Sequence, residues 1–184
     1  GAAWIFTRSG SSWTQQSKLV GTGAEGLAKQ GHSVSLSADG NTAIVGGYTD
    51  NNFAGAAWVW TRSNGTWTQR SKLVGSGAAG SANQGISVTL SADGNTAMLG
   101  GYVDNNEIGA VWVFTRSGDT WIQQGSKLVG TGAASNNGRQ GTSVSLSADG
   151  NTAITGGPFD NSSIGAAWVF AAIPDPGVIG NAHT

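Results

Sequence analysis

The sequence has no cysteine among its 184 residues, and it is poor in charge, proline and histidine. The absence of cysteine excludes disulfides, thiolate metal sites and a cysteine nucleophile. Charged residues make up only 10% of the chain and the formal net charge is −1, so the composition gives no reason to expect a nucleic-acid partner. No apolar run approaches the roughly 18 residues of a transmembrane helix, so we expect no membrane span.

Glycine is abundant, at 31 residues, and the chain contains an internal repeat. Trp4, Trp58 and Trp112 follow one another at intervals of 54 positions, and Trp168 follows after 56. Each of these tryptophans stands in a segment of the type Gly-Ala-Ala-Trp. We assign the repeat domain to 1–170, with repeats at 1–54, 55–108 and 109–164 and an extra strand at 165–170, followed by a C-terminal tail at 171–184. Because the sequence opens inside a repeat, we interpret it as a processed chain, a fragment or an excised piece.

Each repeat predicts four short strands. In the second repeat the aromatic, β-branched and alternating patterns place them at Ala56–Thr61, Thr66–Val74, Ile86–Ser91 and Thr96–Gly100. Asp93-Gly94 predicts a tight hairpin turn between the last two, because glycine reaches positive φ without strain. In the Thr66–Val74 strand, alternation predicts one shared face for Trp67, Gln69, Ser71 and Leu73. No window has a sustained 3.6-residue apolar period, so we expect no helices.

Four antiparallel strands at this period are typical of a β-propeller blade. We therefore predict an all-β fold of tandem four-stranded antiparallel blades, a partial propeller of about three blades per chain. A stacked β-solenoid is the alternative, although its repeats are usually shorter. The paired glycines, such as Gly100-Gly101, are expected where backbones approach closely.

One stretch of the sequence resembles an FG-GAP repeat, the blade motif of integrin α-chain propellers and many bacterial surface proteins. The matching segments are Gln84-Gly85-Ile86-Ser87-Val88, Asp93-Gly94-Asn95, Ala97-Met98-Leu99-Gly100-Gly101 and Gly109-Ala110-Val111-Trp112-Val113-Phe114. The resemblance covers nearly the whole chain in three copies and implies a secreted or cell-surface recognition protein. In its frame the chain holds the last two strands of one blade, two complete blades and the first three strands of another.

The sequence also departs from that family. Gln30, Gln84 and Gln140 stand where the family has an aromatic residue, and Gly-Gly stands for Gly-Ala-Pro. The family's calcium loop is reduced to Ser-Ala-Asp-Gly-Asn, so its calcium site is not carried over. Each turn keeps one carboxylate, and we interpret it first as an Asx-type hairpin turn and second as a Ca²⁺ site. The metal candidates are Asp39, Asn41, Asp93, Asn95, Asp149 and Asn151. No other cofactor is expected.

Two sets of repeated residues are candidates for contact with a ligand. An exposed tryptophan ring can stack on a sugar. The second strand of each repeat carries a tryptophan and is polar enough to leave its ring exposed. Burial in the core is the alternative for every tryptophan. The Trp4 series is expected in the core. The aromatic candidates are Trp13, Trp67 and Trp121. The second set lies in Asp/Asn loops and comprises Asp50, Asn51, Asn52, Asp104, Asn105, Asn106, Asp160 and Asn161.

Catalysis has little support in the sequence. The two histidines, His32 and His183, form no recognisable constellation, and a residue that recurs in every repeat is usually structural because an active site is asymmetric.

The leading hypothesis is a non-enzymatic, lectin-like recognition or adhesion module that binds a glycan or protein through repeated sites, since several weak sites give avidity. A self-assembling structural protein is the alternative, and an enzyme is the third. Unpaired blade edges lead us to expect a homo-oligomer, with a dimer that completes a propeller.

Overall fold

The computed structural model describes residues 1–133 and 137–171, in which every extended element is a short antiparallel β-strand. The predicted tail at 171–184 lies, apart from Ala171, outside the described residues. The strands are β1 (Ala3–Ser9), β2 (Ser12–Leu19), β3 (Ser33–Leu36), β4 (Thr42–Gly47), β5 (Ala56–Ser63), β6 (Thr66–Leu73), β7 (Ser87–Leu90), β8 (Thr96–Gly101), β9 (Ala110–Ser117), β10 (Thr120–Gln123), β11 (Ser143–Leu146), β12 (Thr152–Gly157) and β13 (Ala166–Ala171). The strand positions predicted for the second repeat agree with β5 to β8 within one or two residues.

These strands form four sheets in chain order. Sheet 1 holds β1-β2, sheet 2 holds β3-β4-β5-β6, sheet 3 holds β7-β8-β9-β10, and sheet 4 holds β11-β12-β13. The predicted fold class is confirmed: the protein is all-β, with antiparallel four-stranded blades arranged as a partial β-propeller. The innermost strands β3, β7 and β11 contact their neighbours in adjacent sheets, and β2, β6 and β10 lie on the outside.

The sheet boundaries fall within the repeats counted from Gly-Ala-Ala-Trp. Each complete sheet takes two strands from one repeat and two from the next, the division expected from the FG-GAP-like frame. A bulge at Arg70 corrects one detail of the sequence analysis. Trp60 pairs with Gln69 and Val59 pairs with Ser71, so Gln69 and Ser71 lie on opposite faces of the sheet. Simple alternation had placed them on one face.

The sheets pack face to face, and the two faces of each sheet differ. We call the face that carries Trp4, Trp58, Trp112 or Trp168 the Trp face, and the opposite face, which carries Ile5, Val59, Val113 or Val169, the Val face. Between each pair of neighbours, the Val face of one sheet packs on the Trp face of the next, which forms three separate cores. The chain is therefore held together by one type of contact used three times.

The inner tryptophans fill slots that exclude any side chain on the backbone beside them. A Cβ on Gly75 would lie 2.1 Å from the Trp112 ring, and one on Gly101 would lie 2.7 Å from it. Trp112 Nε1 donates to the Ser76 carbonyl at 2.8 Å, so its one polar atom is satisfied. Trp58 occupies the equivalent slot in sheet 2. These contacts explain why the sequence has glycine at both positions.

Three four-residue helical turns correct the expectation of no helices: α1 (Asp50–Phe53), α2 (Asp104–Glu107) and α3 (Asp160–Ser163). They escape a periodicity search because one turn needs no apolar period. Their backbone is left-handed, with φ of 44° at Asn51, 52° at Asn52 and 68° at Phe53. Asparagine tolerates this region better than most residues, which explains the Asp-Asn-Asn sequence. None of the helices in the described part of the chain has the length and hydropathy of a membrane-spanning segment.

Candidate functional site

Each blade has two different ends. The turn end carries the hairpin turns, such as Ser37–Asn41 between β3 and β4. The variable end carries the left-handed turns α1–α3 and the loops that connect one sheet to the next. The Ser-Ala-Asp-Gly-Asn turn is identical in all three copies, whereas the residues at the variable end differ in charge and aromatic content. In repeat proteins the loops that vary between units often form the binding face.

At the turn end, each Asp turn is closed by its own hydrogen bonds. Asn41 donates to Asp39 from its backbone N at 2.9 Å and from its side-chain amide at 3.0 Å, and the Ser37 hydroxyl donates to the same carboxylate. Asp93 and Asp149 are bonded in the same way. The hydrogen bond from the serine, followed by those from the asparagine, lowers the pKa of Asp39, Asp93 and Asp149.

This geometry is the Asx-type turn that the sequence favoured. The asparagines of the metal candidates, Asn41, Asn95 and Asn151, serve as the hydrogen-bond donors of these turns. No cluster of three or more histidine, aspartate or glutamate side chains suited to a metal ion occurs among residues 1–133 and 137–171. The Ca²⁺ interpretation therefore gains no support from the way these side chains are arranged.

The Trp13, Trp67 and Trp121 rings also lie toward the turn end, in unequal surroundings. The Arg62 guanidinium lies 5.6 Å from the Trp67 ring centroid, and Arg116 lies 5.7 Å from that of Trp121. Both of these rings are half-buried against a neighbouring core. Trp13 is 65% exposed, because no sheet covers the Trp face of sheet 1. The three rings are thus not equivalent platforms, and only Trp13 presents an open surface.

The carboxylates of the Asp/Asn loops are buried in the fold. Asp50 accepts a hydrogen bond from the Glu25 backbone N at 2.7 Å and pairs with Lys72 Nζ at 2.6 Å. Asp104 accepts from the Ala79 backbone N and pairs with Lys127. The expectation that Asp50 and Asp104 contact a ligand is corrected: these carboxylates fix the loop between sheets to the blade. Asp160 is buried at the equivalent position.

The asparagines beside these carboxylates are exposed. They stand on the left-handed turns and recur once per blade around the variable end, and they comprise Asn51, Asn52, Asn105, Asn106 and Asn161. They lie at the opposite end of the blade from the Trp13 series. The sequence-predicted ligand residues therefore do not form a single site, and the structure divides them between the two ends.

Three glutamines hold the loops of the variable end in place. Gln84 donates from Nε2 to the Gly75 carbonyl at 2.8 Å, and the Gly75 N donates back to Gln84 Oε1. Gln30 binds Gly21 in the same way, and Gln140 binds Gly130. Each buried amide thus pairs with both backbone polar groups of one loop residue. This pairing gives a physical reason for glutamine at this position of each repeat.

Sequence reasoning missed a cluster at the variable end of sheet 2. Lys29 Nζ donates to the Tyr48 hydroxyl at 3.1 Å, and the His32 ring centroid lies 4.5 Å from that of Tyr48. Beside it lies an open groove of about 370 Å³ bordered by Leu27, Lys29 and Phe53. Aromatic, cationic and apolar groups are thus presented together on the surface.

A second cluster of different composition lies between sheets 3 and 4. The Arg139 guanidinium lies 4.3 Å from the Phe159 ring centroid and 5.7 Å from that of Tyr102. Arg139 also pairs with Glu107 at 2.8 Å. Arg139 occupies the repeat position of Lys29, and Glu107 occupies that of Phe53. The same backbone positions therefore carry different chemistry in different repeats.

Backbone hydrogen bonds hold the left-handed turns at the variable end in place. The left-handed turn of sheet 2 accepts at the Phe53 carbonyl from Asn83 N, at 2.8 Å, and the turn of sheet 3 accepts at Glu107 from Arg139 N, at 2.9 Å. Each turn is therefore bonded to the loop that leads into the next sheet. The sequence signal for these clusters lies in the positions where the repeats differ, and nearly all the candidate residues predicted above stand at positions where the repeats agree.

The fold and these ends define the protein as a β-propeller-type repeat module whose Ser-Ala-Asp-Gly-Asn turns are identical and whose variable end differs between repeats. No protein-family model matches the chain, and no curated protein sequence matches it. Among solved structures, the chain is similar to the crystal structure of Saccharomyces cerevisiae Sqt1, with 13% sequence identity and a TM-score of 0.49. The similarity covers 80% of this chain and 33% of that chain, so this chain spans about a third of that protein's length. The resemblance to FG-GAP repeats gains no support from these comparisons.

Proposed function

We propose that the protein is a non-enzymatic recognition module that binds a glycan or protein ligand through the variable end of its blades. The observation that carries the proposal is the contrast between repeats: Lys29 and Phe53 in one blade correspond to Arg139 and Glu107 in others. Lys29 and Phe53 are exposed beside an open groove, whereas Arg139 and Glu107 pair with each other, so the same repeat positions present different chemistry along one end of the stack. Exposed polar and aromatic residues on loops held by a rigid scaffold are a common basis of binding.

The chemistry of the surface suits a ligand with ring faces and hydroxyl or amide groups. Tyr48 and Phe53 offer apolar rings, and the amides of Asn51 and Asn52 donate and accept hydrogen bonds. Because the asparagines recur in each blade, they supply shared contacts, and the varied residues supply specificity. Several such weak contacts, repeated from blade to blade, would bind a multivalent ligand with avidity. Lectin-like binding of carbohydrate and adhesion to a protein partner are the two forms of this function.

The setting of this function is also a proposal. The resemblance of the blade segments to FG-GAP repeats supports a secreted or cell-surface location and an integrin-like use in cell adhesion. We further propose that the chain works as a homo-oligomer, with a closed dimer as its preferred state. A self-assembling structural protein is the second candidate function, because large apolar side chains such as Trp4, Phe6 and Val169 are exposed on the outer faces of the stack.

Exchange of residues between repeats tests the binding proposal, because each new residue already occurs at the same backbone conformation elsewhere in the chain. Lys29→Asn and Phe53→Ser install residues found at the same left-handed positions of other repeats, at Asn83 and Ser163. We expect each variant to keep its thermal stability and to lose at least about tenfold in affinity on a glycan or protein array, equivalent to about 1.4 kcal/mol. Trp121→Ala, at the turn end and inside the stack away from both outer faces, is the control and is expected to bind normally.

Two results would contradict the proposal. Loss of binding in Trp121→Ala with normal binding in both exchange variants would move the site to the turn end. Absence of binding by the wild-type chain at high array density, for glycans and proteins alike, would favour the structural alternative. A screen for hydrolysis of chromogenic esters and glycosides addresses the enzyme alternative, and turnover there would refute a binding-only role.

A further inference from the structure

The stack of sheets ends in two exposed apolar faces of different shape. The Trp face of sheet 1 presents Trp4 and Phe6, each 51% exposed, together with Trp13. The Val face of sheet 4 presents Ile154, 43% exposed, and Val169, 65% exposed, which lie directly opposite each other in register. Isolated apolar residues on a surface are ordinary, whereas contiguous sets such as these mark interaction sites.

These two faces are the halves of a contact that the chain already makes inside itself. Between sheets 2 and 3, Ile44 and Val59 on a Val face belong to one buried core with Trp112 and Phe114 on a Trp face. Ile154 and Val169 occupy the repeat positions of Ile44 and Val59, and Trp4 and Phe6 occupy those of Trp112 and Phe114. The two exposed faces thus carry the residue types of the two sides of the internal contact, one face at each end of the stack.

We infer that the Val face of sheet 4 in one copy of the chain docks on the Trp face of sheet 1 in a second copy. This inference rests on the proposal that the chain forms homo-oligomers. It names the two surfaces in contact and states that unlike faces meet, which gives the contact a polarity from head to tail. The internal contacts between sheets serve as the template, so the occupant of each face is the same chain rather than an unrelated partner. Cationic side chains at the rim are compatible with it, because Arg62 on an internal Trp face donates to Gln16 of the adjacent sheet at 3.2 Å.

The docking joins unlike faces, so each copy keeps one face available for a further copy. Such a head-to-tail contact closes into a ring or continues as a filament. The alternative, in which sheets 1 and 4 of two copies merge into one blade, requires two strands to share one place. Both β1 and β13 are the third strand of their blade, as the shared Ala-Ala-Trp sequence and pairing show. Stacking avoids this conflict and keeps both sheets whole.

Complementation between two variants tests the polarity of the contact. Val169→Asp blocks the Val face of sheet 4, and Phe6→Asp blocks the Trp face of sheet 1. Light scattering after size exclusion is expected to give a multiple of 18.5 kDa for the wild-type chain and 18.5 kDa for each variant alone. A mixture of the two variants is expected to form a 1:1 complex, because each supplies the face that the other lacks. Val74→Asp, on an exposed valine away from both faces, is the control and is expected to associate as the wild type does.

The outcomes are distinct. If either variant alone retains the wild-type mass, or if the mixture stays monomeric while the wild type associates, the assigned faces are wrong although self-association stands. A wild-type chain of 18.5 kDa at all concentrations overturns both proposals. Should a variant lose its thermal transition, Ile154→Asp replaces Val169→Asp and Trp13→Asp replaces Phe6→Asp. Ligand binding, measured separately on the array, is not decided by these masses.

Discussion

The same tryptophan meets two environments in this molecule. In the middle of the stack, Trp58 and Trp112 are fully buried, whereas Trp4, at the same repeat position, is half exposed. The local sequences are nearly identical, so the difference comes from the neighbouring sheet and its loop, which are present beside Trp58 and Trp112 and missing beside Trp4. Burial in a repeat protein is thus a property of the contact between units, as expected when stability is shared between units and interfaces.

The largest expected effect follows directly from that comparison. Trp112→Ala removes a buried ring from the core between sheets 2 and 3 and is expected to cost about 3–5 kcal/mol in the free energy of unfolding. Trp4→Ala is expected to cost about 1 kcal/mol or less in the monomer, as for other surface changes. Denaturant unfolding of both variants at a concentration that keeps the chain monomeric measures the difference. Equal costs would show that Trp4 is covered in solution.

The second effect concerns the lysines of the outermost strands. Lys127 pairs with buried Asp104, so Lys127→Met leaves a buried carboxylate without its cation and is expected to cost about 3 kcal/mol. Lys18 occupies the same repeat position in sheet 1, where it lies over the Trp4 ring and has no carboxylate within 4.0 Å among the described residues. Lys18→Met is the matched control and should leave the unfolding midpoint nearly unchanged. A similar loss in both variants would contradict the role of the ion pair.

The third effect tests the glutamine pairing of the loops. Gln84→Leu keeps a similar volume but leaves the N and O of Gly75 without the amide, and we expect a cost of about 2 kcal/mol. The exposed Gln15→Leu in sheet 1 is the control and should be close to neutral. Hydrogen exchange offers a sharper readout, because protection of the Gly75 N–H should fall in the first variant alone. Unchanged protection would mean that the loop is held by other contacts.

The fourth effect is smaller and concerns acid stability. Hydrogen bonds from Ser91 and Asn95 lower the pKa of Asp93 in the folded chain. A lowered folded-state pKa stabilises the protein at pH above the unfolded value of about 4, and this contribution is lost as pH falls through the folded pKa. Asp93→Asn should therefore flatten the decline of stability below about pH 4. Asp149→Asn in sheet 4 should change the pH dependence of stability in the same way, because the hydrogen bonds of the Asp149 carboxylate all lie within its own turn. A difference between the two variants would show that packing between sheets also affects the pKa of these aspartates.

The smallest expected effect is that of calcium. Each Asp turn offers a single carboxylate, and its oxygens already accept hydrogen bonds, whereas Ca²⁺ takes six to eight oxygen ligands. Thermal unfolding curves recorded with EDTA and with millimolar Ca²⁺ are therefore expected to coincide. An upward shift of many degrees with Ca²⁺ would show that asparagine and carbonyl oxygens complete a site.

Much of the architecture could be predicted because the determinants are local and repeated. The strand positions and the Asp-Gly turns follow from alternation, turn residues and period, whereas the division into two complete and two partial blades was expected only from the frame of the FG-GAP resemblance. The candidate site was harder to predict. The bulge at Arg70 has no local signature, and the burial of Asp50 depends on Lys72 and the Glu25 loop, which are distant in sequence.

The sequence by itself determined the repeat, the strands, the crowded glycines and the all-β class, because backbone preference and side-chain alternation are written residue by residue. Only the tertiary structure decided which copy of a repeated residue is buried, and which end of the blade gathers varied side chains. Those outcomes depend on which sheet lies next to which, and the two outer sheets lack a neighbour that the inner ones have. Nearly identical segments such as those around Trp4 and Trp58 therefore have different surroundings.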